Sequence, residues 1–185
     1  LEEQIVEYAD WSIRQFMQAA EKQPWFDNTI FVFLGDHGKM VGTPECEMPQ
    51  SYNHIPLMIY GKDIKPGVYD GFGGQVDVSP TLLGLLNISY LQNNFGVNLL
   101  EEERPCMFFT ADNLIGARDS VNMFIYSPDS QQEFKYKLEE GKLHAATGTD
   151  EEVLRNLKDY CFSMLQSTES LVKEHKTLDK VSVKK

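Results

Sequence analysis

The sequence has no run of about 20 apolar residues, the length a bilayer-spanning helix needs. It also has no basic start followed by an apolar stretch and a cleavage site. Any export signal or membrane anchor of a parent protein is therefore expected outside this chain. Positive charge is scarce as well: 17 Lys and Arg stand against 28 Asp and Glu, a formal net charge of −11. That balance argues against nucleic acid as the main partner, because phosphate backbones are held by clustered basic residues. Basic residues gather only at the end, as Lys173, Lys176, Lys180, Lys184 and Lys185, and a terminal run of that kind reads as a solvated tail. The three cysteines, Cys46, Cys106 and Cys161, are odd in number and far apart. Without a CxxC pair they give neither a disulfide framework nor a zinc ribbon.

What is present is the texture of a globular protein, 42% hydrophobic and 24% charged over 185 residues, with no internal repeat. Ile5, Ala9, Ile13, Phe16 and Ala20 recur at helical spacing, which predicts a helix over 2–22 with one buried face, closed by Pro24. The continuous apolar run Thr29–Leu34 reads as a strand covered on both faces, as in a parallel sheet. Ile55–Tyr60 reads as a second strand. Between them lies a polar loop of about twenty residues, a length that is usually functional inside a compact domain. The order helix, strand, loop, strand predicts an α/β sheet with parallel crossovers. Ser79 as N-cap and Pro80 at the first helical position predict another helix. After Asn87 the pattern shifts to short strands at 106–111, 114–118, 121–126 and 133–138, separated by polar turns, which is the signature of an antiparallel sheet. The spacing of Thr149 and Glu152 fits a capping box. A final helix is expected to carry its stripe of Val153, Leu154, Leu157, Cys161, Met164 and Leu165 to about Glu174.

Four histidines are present and they differ in setting. His144 and His175 lie in polar surroundings, whereas His37 sits in Gly35–Gly38, directly after the first apolar strand. In open α/β sheets the crevice beyond strand carboxyl ends is where ligands bind. Adjacent residues on an extended strand point to opposite faces, but the flanking glycines permit a bend that aims Asp36 and His37 at one centre. A carboxylate oxygen and an imidazole nitrogen suit Zn²⁺ or Mn²⁺. Spacing alone leaves a second reading open, in which Asp36 makes an Asx turn and His37 is a polar residue at a strand end.

The blocks Tyr8–Trp11, Trp25–Gly38, His54–Gly61 and Gln75–Leu83, in that order across roughly residues 4 to 88, resemble the second half of a sulfatase-type catalytic domain. Within the alkaline phosphatase superfamily the detail is closest to the lipoteichoic acid synthase group of phosphoglycerol transferases. The resemblance implies an alkaline-phosphatase-like α/β sandwich over 1–88. Residues 89–185 would form a small antiparallel sheet and a long carboxyl-terminal helix packed on it.

The resemblance also implies chemistry. Asp36 and His37 match the family's Asp-His metal pair, with Mn²⁺ the first choice of ion and Zn²⁺, Mg²⁺ or Ca²⁺ the other choices. His54 falls where these enzymes place a histidine near the substrate. It would contact the transferred group or protonate the leaving oxygen, or else hydrogen-bond locally before its strand. Lys39 would touch an anionic group or remain solvated. Asp77 matches a position with a structural role. The implied substrate is a phospholipid headgroup or another phosphate or sulfate ester. The implied setting is extracytoplasmic, in a membrane-anchored parent.

One departure is informative. These enzymes attack with a Thr, or with a formylglycine made from Cys or Ser, well upstream of the metal pair. Cys46 is followed by Glu47, Met48, Pro49 and Gln50, which is not the sulfatase pattern of proline and arginine. The chain is therefore expected to be a carboxyl-terminal portion without its nucleophile, with little turnover alone and with an exposed sheet edge prone to self-association. The competing reading is a non-catalytic α/β module that binds a ligand.

Overall fold

The computed structural model describes residues 2–40, 42–146 and 151–174. It divides into two compact units, Leu1–Gly38 with His54–Val68, and Lys39–Asn53 with Tyr69–Lys185. The loop after the first strand therefore belongs to the second unit, while the segments on either side of it belong to the first.

In the first unit, helix α1 (Glu2–Ala20) leads through a 3-10 turn (Phe26–Asn28) into strand β1 (Phe31–Leu34), and strand β2 (Leu57–Tyr60) closes the unit. The parallel arrangement expected from element order is not what forms. β2 runs antiparallel to β1, with Phe31 opposite Tyr60 and Leu34 opposite Leu57. The long loop turns the chain back on itself, so no helical crossover is needed. Nor are the strands covered on both faces, since Leu34, Met58 and Tyr60 are exposed. Coverage concentrates on Phe31, whose ring lies 5.3 Å from Phe26, 6.0 Å from Phe16 and 6.2 Å from each of Trp25 and Tyr60. Aromatic pairs of this kind contribute about 0.5–1.5 kcal/mol each beyond the area they bury. Helix α1 has the predicted periodicity, but its stripe is not buried: Ile5, Ile13 and Phe16 stay exposed and only Ala20 is enclosed. Periodicity records which face favours burial, and the described residues supply little to bury it against.

In the second unit, strands β3 (Met107–Ala111), β4 (Leu114–Arg118), β5 (Asn122–Ser127), β6 (Gln132–Glu139) and β7 (Lys142–Ala145) form one antiparallel sheet in chain order. The first four fall where alternation and turns placed them. β7, whose residues are mostly exposed, gave no such signal. Period-two alternation sorts the side chains to two faces. Ile115, Ala117 and Phe124 pack with Leu157 and Cys161 of helix α4 (Glu151–Lys173). Met123 and Ile125, on the opposite face, pack with Cys46 and Met48. β5 is thus enclosed on both sides, on one by a helix and on the other by an irregular loop. Full burial of a side chain such as Met48 contributes about 1.5–3 kcal/mol. Thr149, His175 and the lysines from Lys176 onward lie outside the described residues.

Helix α3 (Gln75–Leu85) begins five residues earlier than Ser79 and Pro80 predict. Gly74 is the N-cap in extended conformation, and its N–H donates to Asp77 Oδ2 at 2.8 Å. Asp77 N–H in turn donates to the Gly74 carbonyl at 3.0 Å. Pro80 therefore sits in the helix interior, where it cannot serve the carbonyl of Val76. Gly96 lies against that carbonyl so closely that a Cβ there would stand 2.1 Å from Val76 O.

Candidate functional site

The antiparallel register positions the site. Because Leu34 pairs with Leu57, the chain leaving β1 through Gly35, Asp36 and His37 and the chain entering β2 through His54, Ile55 and Pro56 share one end of the ladder. The two backbones remain close one step beyond it: a Cβ built on Gly35 would lie 3.6 Å from Ile55 Cβ, ordinary van der Waals contact. Ser51, Tyr52, His54 and Pro56 are all exposed, so the approach to β2 is open to solvent.

Asp36 occupies a bend directly after β1. Its Oδ1 accepts the backbone N–H of His37 at 2.9 Å, the local bond of an Asx-type turn. Its Oδ2 lies 3.8 Å from His37 Nε2. The other ring nitrogen, Nδ1, lies 2.7 Å from the carbonyl of Gly38. A carbonyl can only accept, so Nδ1 carries a hydrogen, and in the neutral ring this leaves Nε2, the nitrogen turned toward Asp36, as the acceptor. The turn and the convergence that looked like competing readings coexist, because one carboxylate oxygen makes the turn while the other faces the imidazole. A carbonyl fixing one imidazole nitrogen so that the other can bind is the usual outer-sphere arrangement at metal-ligating histidines.

Both side chains are accessible, Asp36 at 91% and His37 at 57% relative exposure. Such a pair can hold a proton or a cation between a hard oxygen and an imidazole nitrogen. Among the described residues no group of three or more His, Cys, Asp or Glu side chains converges in metal-binding fashion. The pair fits two coordination positions of an ion, and a tight site needs more. Beside the ladder, Ile13, Val32, Phe33, Leu34, Gly35, Pro56 and Met58 line a cavity of about 350 Å³. The side chains of that lining are apolar.

The remaining predicted residues are placed apart from one another. Lys39 is exposed and opens the loop assigned to the second unit. His144 is an exposed residue of β7. Asp77 has no exposure and is engaged structurally, capping α3 and accepting the N–H of Val97 at 2.8 Å. Sequence reasoning passed over Met48 and Gln50, which anchor the loop between the two halves of the site. A lone Met amid polar residues carries no periodicity that would flag it.

The comparisons with known proteins come from both sequence and fold. A protein of the alkaline phosphatase superfamily from Vibrio parahaemolyticus matches with a TM-score of 0.77 at 24% identity, over 95% of this chain and 42% of that one. The fold is that of the alkaline phosphatase superfamily, an α/β architecture whose sheets here are both antiparallel and whose last described element is a long helix. Residues 4–88 match the sulfatase family model. Lipoteichoic acid synthase 1 of Bacillus subtilis is 28% identical over 147 residues, covering 71% of this chain and 23% of that protein. Lipoteichoic acid synthase 2 of the same organism is 30% identical over 131 residues, covering 62% and 20%. Choline-sulfatase of Rhizobium meliloti is 30% identical over 104 residues, covering 54% and 18%. The chain is thus similar to the sulfatase family model over residues 4–88 and to lipoteichoic acid synthases and a choline-sulfatase over longer stretches. It spans about a fifth of the length of these curated relatives. No described helix is long and apolar enough to cross a membrane.

Proposed function

We propose that this chain supplies Asp36 and His37 as two ligands of a divalent metal ion in an enzyme that transfers or hydrolyses a phosphate or sulfate ester. The observation that carries the reading is the His37 ring: Nδ1 is tied to the Gly38 carbonyl at 2.7 Å, so the acceptor nitrogen is the one turned to Asp36 Oδ2. Mn²⁺ is the first choice of ion, with Zn²⁺, Mg²⁺ and Ca²⁺ as the other choices. A divalent cation there polarises a phosphoryl or sulfuryl group and offsets charge that develops during displacement. In a protein of net charge −11 it is also the local positive centre that an anionic substrate requires.

This chain's own groups do the rest. His54, exposed at the same end of the ladder, donates a hydrogen bond or a proton to an oxygen of the bound ester. Lys39 contributes a positive charge where the loop begins. The transferase version, with a phospholipid headgroup as phosphoglycerol donor, follows the lipoteichoic acid synthase likeness and places the enzyme on the outer face of a membrane, in an anchored parent. The competing reading, a binding module without chemistry, draws on the lack of a third metal-binding side chain near the pair among the described residues.

Titration with Mn²⁺ and Zn²⁺ separates the two. Wild-type protein is expected to bind more tightly than Asp36→Asn and His37→Ala. If all three bind equally poorly, the enzyme reading fails and the binding module stands.

A further inference from the structure

Asp36, His37 and His54 all belong to the first unit, together with the strands that precede and follow them. Pairing between β1 and β2 ends at Leu34 and Leu57. Pro56, directly before Leu57, has no N–H with which to carry the ladder further. After helix α2 (Gln50–Asn53) the chain therefore enters β2 through His54, Ile55 and Pro56, residues outside any helix or strand. Ladder hydrogen bonds do not hold this stretch, and a side-chain contact takes over from them.

A Cβ placed on Gly35 would lie 3.6 Å from both Cβ and Cγ2 of Ile55. The branch point of Ile55 thus rests against the backbone of the residue directly before Asp36. Ile55 is half-buried, whereas His54 and Pro56 on either side of it are exposed. Local chemistry stiffens this contact. A residue that precedes proline is pushed into the extended region, because the proline ring crowds its backbone. A β-branched side chain is restricted at χ1. With backbone and side chain both restricted, a seat for Ile55 on Gly35 also fixes the direction of the peptide bond that Ile55 shares with His54.

We infer that Ile55 is a positioning residue: its Cγ2 methyl, seated against Gly35, holds His54 at the end of the ladder where Asp36 and His37 lie. The inference deepens the ester-site reading and rests on it only for its metal readout.

The test compares wild-type chain with Ile55→Val, Ile55→Leu and Ile55→Ala. Val keeps the Cγ2 methyl and the branch at Cβ, whereas Leu keeps the volume and loses both. Two quantities are read by NMR: amide hydrogen exchange at Asp36, His37 and His54, and broadening of the His54 ring signals by substoichiometric Mn²⁺, an effect that falls steeply with distance from the ion. Ile55→Val is expected to match wild type in both. Ile55→Leu and Ile55→Ala are expected to speed exchange at those amides about tenfold and to lose most of the broadening. Should Ile55→Ala also loosen Phe31–Leu34, the ladder itself has been damaged, and Ile55→Leu, which removes no volume, decides by the same readouts. The opposite order, with Leu at wild-type values and Val impaired, is what apolar burial alone would give, and it overturns the inference. Wild-type values in Ile55→Leu and Ile55→Ala overturn it as well. If Mn²⁺ broadens no ring signal in wild type or any variant, while exchange follows the expected order, the seat of Ile55 on Gly35 stands and the ester-site reading fails instead.

Discussion

Arg104 grips both carboxylate oxygens of Asp77 inside the second unit, with Nε 2.9 Å from Oδ2 and Nη2 2.5 Å from Oδ1. The guanidinium also donates to the carbonyl of Phe95 at 2.6 Å, and Asp77 accepts backbone N–H groups of Gly74 and Val97. The carboxylate has no exposure and the arginine side chain only 9%, so each charge depends on the other. Arg104→Ala or Asp77→Ala is expected to cost about 3–5 kcal/mol in urea unfolding, because either leaves a buried charge without its partner. Arg104→Lys keeps the charge but not the two-pronged geometry and should recover only part of that loss. Wild-type stability in all three variants would contradict this account.

Asp36 and His37 behave in the opposite way, since both side chains face solvent. Asp36→Asn and His37→Ala should change unfolding free energy by no more than about 0.5 kcal/mol. Their Mn²⁺ affinity should nevertheless fall by at least about tenfold. Calorimetric titration alongside thermal melts reads both, and an affinity loss that merely tracks a stability loss would assign these residues to the fold.

Buried thiols set a pH dependence. Burial is the largest cause pushing the Cys46 thiol from 9.0 up to about 11 and the Cys161 thiol up to about 12. Burial, with the hydrogen bond to Glu47 next, also raises the Tyr136 phenol. The unfolded chain therefore releases these protons at lower pH than the folded one and binds fewer of them in alkaline solution. Stability is accordingly retained below the ordinary thiol value and lost as pH climbs toward about 11–12. Under reducing conditions the urea midpoint should drop between about pH 8 and about pH 10.5, and the drop should shrink in Cys161→Ala. A midpoint that rises over this interval would show the sign to be wrong.

Two glycines predict contrasting outcomes. At Gly96 a Cβ would meet Val76 O at 2.1 Å and Pro80 Cγ at 2.9 Å, so Gly96→Ala should cost about 1–3 kcal/mol through displaced backbone. At Gly67 a Cβ meets nothing within 4 Å. Gly67→Ala should be neutral or stabilise by up to about 1 kcal/mol, through reduced freedom of the unfolded chain. Chemical denaturation of the two variants in parallel checks the contrast.

Local order determined what the sequence by itself could specify. Alternation between polar turns placed β3 to β6 nearly to the residue, periodicity placed α1 and α4, and the glycines around Asp36 and His37 marked a bend at a strand end. Tertiary structure alone decided the rest. A short apolar run such as Phe31–Leu34 fits either strand direction, so its antiparallel pairing with Leu57–Tyr60, which brings His54 to the end where Asp36 lies, depended on where the loop returned. The start of α3 was set by Asp77, buried against an arginine 27 residues away. Met48 was fixed by the gap over Gly116 on a distant strand. These outcomes arise from partners far along the chain, and a residue's neighbours in sequence carry no record of what will eventually cover it.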